Sequence, residues 1–283
     1  MNTKYMAEIE DVAARFRAGE AEVARTFFSK PRPLAQHYFW LKVQVARELR
    51  NLREISQGEL REQVDKVDRG ITREAIVAEL REHYYETRHY AMLAYVLEGL
   101  GGGSVDWKEL DAERANAEWS VWQREEQKRR RAWDKTSPLH SAAGSFNSGG
   151  AGSVAYGVVG LKGDVYEQLL AETGKIILHD ELAHGDALEA RHPLYQWVKT
   201  EADARTALEI VREFSTVRLK GRNFQFGHPL SDERIEAIAA GEIEPATVEI
   251  LKSAYAGFID EDVWFQRFHK AAKPLSAATV IRQ

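Results

Sequence analysis

The sequence predicts an all-α protein. Three observations carry this. Apolar residues recur at three- and four-residue intervals over most of the chain, no stretch alternates apolar and polar residues long enough for a sheet, and the periodic runs end at helix-stop signals. The "KPRP" of residues 30–33 closes a first helix over Ala7 to Phe28. An aromatic-rich second helix follows from Leu34 to about Ile55. The polar stretch Gly58 to Gly70 reads as a short helix or a long connection. Thr72 is placed as an N-cap for a third helix, with Glu74 in its first turn, and "GLGGG" at residues 99–103 stops it. A fourth helix spans Val105 to about Asp134. Ser137 to Ser153, "SPLHSAAGSFNSGGAGS", is rich in glycine and serine and predicts a loop that could move over a site. Further helices are expected from Asp164 to Ala190, from Thr200 to about Lys220, and, more briefly, from Ser231 to Ala240 and Pro245 to Phe258.

Composition narrows the function. The chain has 283 residues, enough for one large domain with extensions, and its net charge of −5 argues against a general nucleic-acid binder. It contains no cysteine, which removes disulfides, thiolate metal sites and cysteine nucleophiles, so any metal must be held by oxygen and nitrogen. No window is apolar enough to span a membrane, and "MNTKYMAEIED" lacks the apolar centre of a signal peptide, so a cytoplasmic location is expected.

The informative feature is misplaced acids. "REHYYETRHY" at residues 81–90 contains Glu86 and His89, and "LHDELAHGD" repeats the spacing with Glu181 and His184. Residues three apart share a helix face. Glu86 and His89 lead into Leu93, Val96 and Leu100. On the later helix Glu181 and His184 continue a stripe through Leu170, Gly174 and Ile177, while Asp180 and His184 continue the adjoining one through Thr173 and Ile176. On the second helix Glu48 lies with Leu41, Val45 and Leu52. Buried, unpaired carboxylates cost several kcal/mol and neutralise themselves or find a cation. Carboxylates mixed with imidazole suit Fe, Mn or Zn better than Ca or Mg. Glu-x-x-His pairs on facing helices recur as the ligands of two-metal carboxylate centres. One such motif occurs often by chance on a helix surface; two copies interrupting apolar stripes, with Glu48 on a third helix, favour a metal. Glu118, on the mixed stripe Asp111, Ala115, Trp122, is a further candidate ligand. His83 and His179 flank the motifs, His140 reads as a solvated loop residue, and "REEQKRRR" at 124–131 reads as a solvated helix end.

Three stretches resemble the haem-oxygenase-like superfamily, which includes diiron oxidases, pyrroloquinoline-quinone synthase and thiaminase-type proteins. "HYFWLKVQVARELRNL" is similar to its aromatic first core helix. "AELREHYYETRHYAMLAYVLEGLGG" is similar to its Glu-x-x-His helix. "ILHDELAHGDALEARHPLYQWVKTEADARTALEIVREF" is similar to its late acid-plus-His helix and the helix after it. The likeness covers roughly residues 33–220. It implies a haem-oxygenase-like multi-helix bundle with residues 1–32 as a helix packed on the core, 33–220 as the core, and 221–283 as a helical C-terminal extension. For the diiron branch it implies Glu48, Glu86, His89, Asp180 and His184 as metal ligands, with Glu181 the rival of Asp180. It implies two Fe(II) ions, O2 as co-substrate, and desaturation, hydroxylation or cleavage of a small molecule such as an amino acid or amine. The family's further Glu before the late motif is missing, because no acid occurs between Lys135 and Gly163, so the second ion is expected to bind more weakly. A homodimer is among the expected partnerships. The competing expectations are a ferritin-like diiron protein, a metal-free cofactor-biosynthesis enzyme of the same fold, and a non-catalytic helical binding protein.

Overall fold

The computed structural model describes residues 3–54, 73–101, 119–146, 150–189, 192–246 and 264. Among them every regular element is an α-helix, arranged as a multi-helix bundle. The helices are α1 (Thr3–Phe28), α2 (Leu34–Glu54), α3 (Arg73–Gly101), α4 (Trp119–Asp134), α5 (Pro138–Ser145), α6 (Gly150–Val158), α7 (Val165–Glu189), α8 (Leu194–Trp197), α9 (Glu201–Gln225) and α10 (Asp232–Ala240). No helix among the described residues is long and apolar enough to cross a membrane.

Local chemistry fixes several of the ends. Thr200 and Asp203 form a reciprocal capping box at the start of α9. The Ser231 hydroxyl caps α10, and Gly241 ends it in the left-handed conformation at φ 76°. α9 runs without a break through Lys220 to Gln225, five residues past its expected end. The expected fourth helix is described from Trp119 on. The expectations for Gly58 to Gly70, for the Thr72 cap and for most of Pro245 to Phe258 fall outside the described residues.

Ser137 to Ser153 departs from the expected loop. It folds into α5 and α6. Ser137 caps α5 by accepting the backbone N–H of His140, with Pro138 in the first turn. The small residues are there for close packing. A Cβ on Gly157 would lie 2.3 Å from Ala24 Cβ in α1, and one on Gly144 would lie 2.7 Å from the Trp133 ring. α6 thereby nests between α1 and α7.

Two long pairings organise the rest. α1 packs along α9, and α2 packs along α3, which also contacts α7. The core between them is aromatic and aliphatic. Trp40 stacks on Phe226 at 4.9 Å, and Phe27, Leu41, Met92, Leu97 and Phe214 are fully buried. Burying side chains of this size contributes about 1.5–3 kcal/mol each before entropy is counted. Glu22 of α1 clamps α10 through two 3.0 Å bonds from Arg234. Trp264 is fully buried, its ring 6.5 Å from that of Tyr95 of α3.

Candidate metal centre

The site is built by α2, α3 and α7, which the pairings above bring face to face. Glu48 lies on the inward stripe of α2 and is 3% exposed; His89 lies on the inward stripe of α3 and is fully buried. Glu86, one turn before His89, is half-buried on the same helix. One candidate ligand atom from each of Glu48, Glu86 and His89 lies within 4.8 Å of the other two. A single divalent cation can touch atoms so spaced.

His89 is presented by a device that the sequence did not advertise. Its Nε2 lies 3.0 Å from Asp180 Oδ2 on α7, and a carboxylate can only accept, so Nε2 carries the proton. Nδ1 is buried and has no hydrogen-bond partner. A carboxylate that orients one imidazole nitrogen while the other is left for a metal is the usual outer arrangement of metal-bound histidine. The other oxygen of Asp180 accepts from the Arg88 guanidinium. Arg88 is in turn held by the rings of Tyr84 and Tyr85, 5.3 and 5.1 Å away. The stretch around "YYETRHY" is therefore a unit: two tyrosines hold an arginine, the arginine and His89 hold Asp180, and Asp180 holds His89.

Gln44 plays a matching part for Glu48. It sits one turn earlier on α2 and donates from Nε2 to Glu48 Oε1 at 2.5 Å. Its own oxygen accepts from Arg222 of α9 at 2.8 Å. Neither Arg88 nor Gln44 was singled out from the sequence. An arginine next to the motif histidine, three and four residues after two tyrosines, was the signal for the first; a glutamine on an apolar stripe one turn before Glu48 was the signal for the second.

The acids divide into two electrostatic classes. Burial pushes Glu48 up to about 7, with repulsion from Glu86 and Glu181 adding to it and His89 and Gln44 opposing. Burial likewise pushes Glu181 up to about 7. Asp180 moves the other way: burial disfavours its charge, but the hydrogen bonds from His89 and Arg88 outweigh that and hold it below the ordinary carboxylate range. For His89, burial disfavours the charge, and the bond to Asp180 with the carboxylates of Glu48, Glu181 and Glu86 overcomes it and raises the pKa. A site where buried acids hold protons and a histidine is driven to carry one is short of positive charge.

The structure thus brings together Glu48, Glu86 and His89, with Glu181 close enough for its charge to act on Glu48 and His89. It engages both oxygens of Asp180 elsewhere. α7 carries His184, whose side chain lies outside the described residues, as does Glu118. His179 is half exposed, 3.4 Å from Asp180. Gly152 of α6 lies against the Glu181 side chain, where a Cβ would sit 3.4 Å from Glu181 Cγ.

A small apolar pocket adjoins the centre one helical turn away. Gln44, Leu93 and Ile177 line it, a turn from Glu48, His89 and Glu181 respectively, and Trp40, Val154 and Val158 complete its wall. Compared with protein-family models, with curated proteins and with solved structures, the chain matches none.

Proposed function

We propose that this protein is a nonhaem iron enzyme that uses O2 to oxidise a small organic molecule, with its metal held by Glu48, Glu86 and His89. The observation that carries the reading is the buried Nδ1 of His89. It has no partner, its ring is locked by Asp180 through the opposite nitrogen, and it belongs to a histidine whose ligand atom clusters with two glutamates. Two carboxylates and one imidazole suit Fe(II) and leave coordination positions open. Iron held there would supply the electrons that O2 reduction requires. Glu181, already close in charge terms, and His184 on the same helix are the donors for a second, weaker ion, in line with the likeness to haem-oxygenase-like diiron oxidases.

The chain's own residues do the rest. Asp180 keeps His89 in one tautomer, which leaves Nδ1 as the nitrogen open to a metal. Gln44 fixes the orientation of Glu48. The apolar wall of Trp40, Leu93, Val154, Val158 and Ile177 lowers the polarity beside the centre. An amino acid or amine is the substrate class that the family resemblance favours.

The test is anaerobic loading of the chelated protein with Fe(II), metal analysis, and then O2 mixing with a visible spectrum recorded. The expected result is at least one tightly held iron per chain and O2 uptake that the chelated protein lacks. A protein that retains no iron after loading, or whose Glu86→Ala and His89→Ala variants hold as much as the wild type, would remove the reading and leave the metal-free enzyme or the binding protein.

A further inference from the structure

Three buried side chains away from the ligands have no part in the reading above, and they meet one another. His37 and Trp40 lie on α2, and Tyr166 lies at the start of α7; none is more than 7% exposed. The Tyr166 hydroxyl is 3.3 Å from His37 Nδ1, and the two rings meet edge to face at 5.4 Å. The Trp40 indole N–H makes no well-aligned hydrogen bond but stands near enough to the Tyr166 oxygen to favour negative charge there. The surroundings are aromatic: Phe27 and Phe28 pack on the His37 ring at 4.9 and 5.7 Å, and Phe226 stacks on Trp40. On α2, His37, Trp40, Gln44 and Glu48 follow at intervals of three, four and four residues, so they share one face. Trp40 and Gln44 both line the small apolar pocket, and Gln44 holds Glu48. The helix rise puts Trp40 about 12 Å along α2 from Glu48. An electron can cross such a span through packed side chains, whereas a proton has to move locally.

The proton has a place to go. Burial pushes Tyr166 well above the ordinary phenol range, with Trp40 opposing and the charges of Asp164 and Glu167 adding, so it does not ionise on its own. Burial holds His37 down at about 4, with Asp164 opposing and Arg32 adding, so the ring is neutral and can accept. A phenol that loses an electron becomes a strong acid, and a radical cation left in so apolar a place would be costly. A base already on the hydroxyl removes that obstacle.

We infer that Tyr166 is a one-electron donor to the centre, its phenolic proton passing to His37 Nδ1 and its electron leaving through Trp40. The O–H bond of Tyr166 breaks and an N–H bond forms on His37. Tyr166 becomes a neutral phenoxyl radical, and iron oxidised by O2 gains the electron. The link to iron rests on the proposed function; the Tyr166–His37 pair does not, since any sufficiently strong one-electron oxidant can draw on it.

The test has two arms, both on the full chain. In the first, chelator-treated protein is flashed with light in the presence of a tris(bipyridine)ruthenium(II) sensitiser and persulfate, and tyrosyl radical is followed by absorption and by EPR of frozen samples. The expected result is a tyrosyl signal that outlasts those of exposed tyrosines, is absent from Tyr166→Phe, and forms about a hundredfold more slowly in His37→Gln. Tyr166→Phe keeps the ring in place, so it decides the matter even if His37→Gln does not fold. The second arm loads the wild type with Fe(II) under nitrogen and admits O2, where the same signal is expected. No long-lived signal, one that survives in Tyr166→Phe, or one formed as fast in His37→Gln would overturn the inference. A Tyr166 radical in the flash arm alone, from protein that retains iron, would overturn donation to the centre. The two readings fail separately: a flash-generated Tyr166 radical in protein that holds no iron keeps the oxidisable pair and removes the centre, whereas retained iron with no Tyr166 radical in either arm removes the donor and keeps the centre.

Discussion

Asp180 and Glu181 are neighbours on α7 with opposite electrostatic circumstances, and substitution should expose the difference. Asp180 neutralises Arg88 and His89; Glu181 is buried among other acids and relieved mainly by His89. In metal-free protein at pH 8, Asp180→Asn should therefore destabilise the fold by about 3 kcal/mol, because it removes the buried negative charge that Arg88 and His89 both face. Glu181→Gln should stabilise it by about 1 kcal/mol or more, because it removes a charge that burial disfavours. Urea unfolding of both variants checks the signs. Equal losses in the two would mean that Glu181 is paired as firmly as Asp180. Metal affinity should also respond: Asp180→Asn, which removes the group that orients His89, should lose about 10–100-fold.

Among the elements, α6 is the one whose position depends most on what its side chains lack. A Cβ at Gly157 would meet Ala24 Cβ at 2.3 Å and the backbone oxygen of Ala21 at 3.0 Å, so α1 and α6 would have to separate. Gly157→Ala is expected to cost about 1–3 kcal/mol, the usual penalty of overpacking. Gly160, three residues on, has nothing within 4 Å of its would-be Cβ, and Gly160→Ala should stay within about 0.5 kcal/mol of the wild type. Thermal melts of the pair make the comparison. Because Gly152 of α6 also lies against Glu181, the Gly157 variant should bind metal less tightly even where it remains folded.

At the scale of the whole molecule, the site makes stability depend on pH and metal together. Glu48 and Glu181 hold their protons up to about 7 in the folded state, whereas ordinary carboxylates release them near 4.5. Between these values the folded chain binds more protons than the unfolded one, so metal-free stability falls as pH rises from about 4.5 to about 7 and then levels off. The raised pKa of His89 acts in the same direction, its contribution being present at low pH and lost as pH rises through its folded value. A divalent cation replaces those protons. Melting temperatures of chelated protein should therefore be higher at pH 5.5 than at pH 7.5, and the increment from added Fe(II) or Mn(II) under nitrogen should grow with pH across that interval. A metal increment that is independent of pH would place the ion away from these acids. Trp264 is fully buried, and Trp264→Ala should cost about 3–5 kcal/mol, as for other buried tryptophans, which a far-UV melt would show.

What the sequence determined by itself was everything that repeats along a single helix. The 3.6-residue period, the capping residues and the Pro and Gly stops place α1, α2, α3, α7, α9 and α10 within a few residues of their observed ends. The same period put Glu48, Glu86 and His89 on apolar stripes, and the structure gathers these three. What crosses between helices was decided only by the tertiary structure. Glycine and serine between Ser137 and Ser153 have the composition of a loop; their helices pack closely on distant residues, as Gly144 does on Trp133, a distance that no local pattern encodes. Asp180 and Glu181 differ by one position, about 100° around α7, and that rotation against α3 alone turns Asp180 onto His89 and Arg88. Gln44 and Arg222 are ordinary polar residues when taken one helix at a time. Their consequence appears only where α2 and α9 meet, because the energy of a buried charge depends on what surrounds it in space and not on its neighbours in sequence.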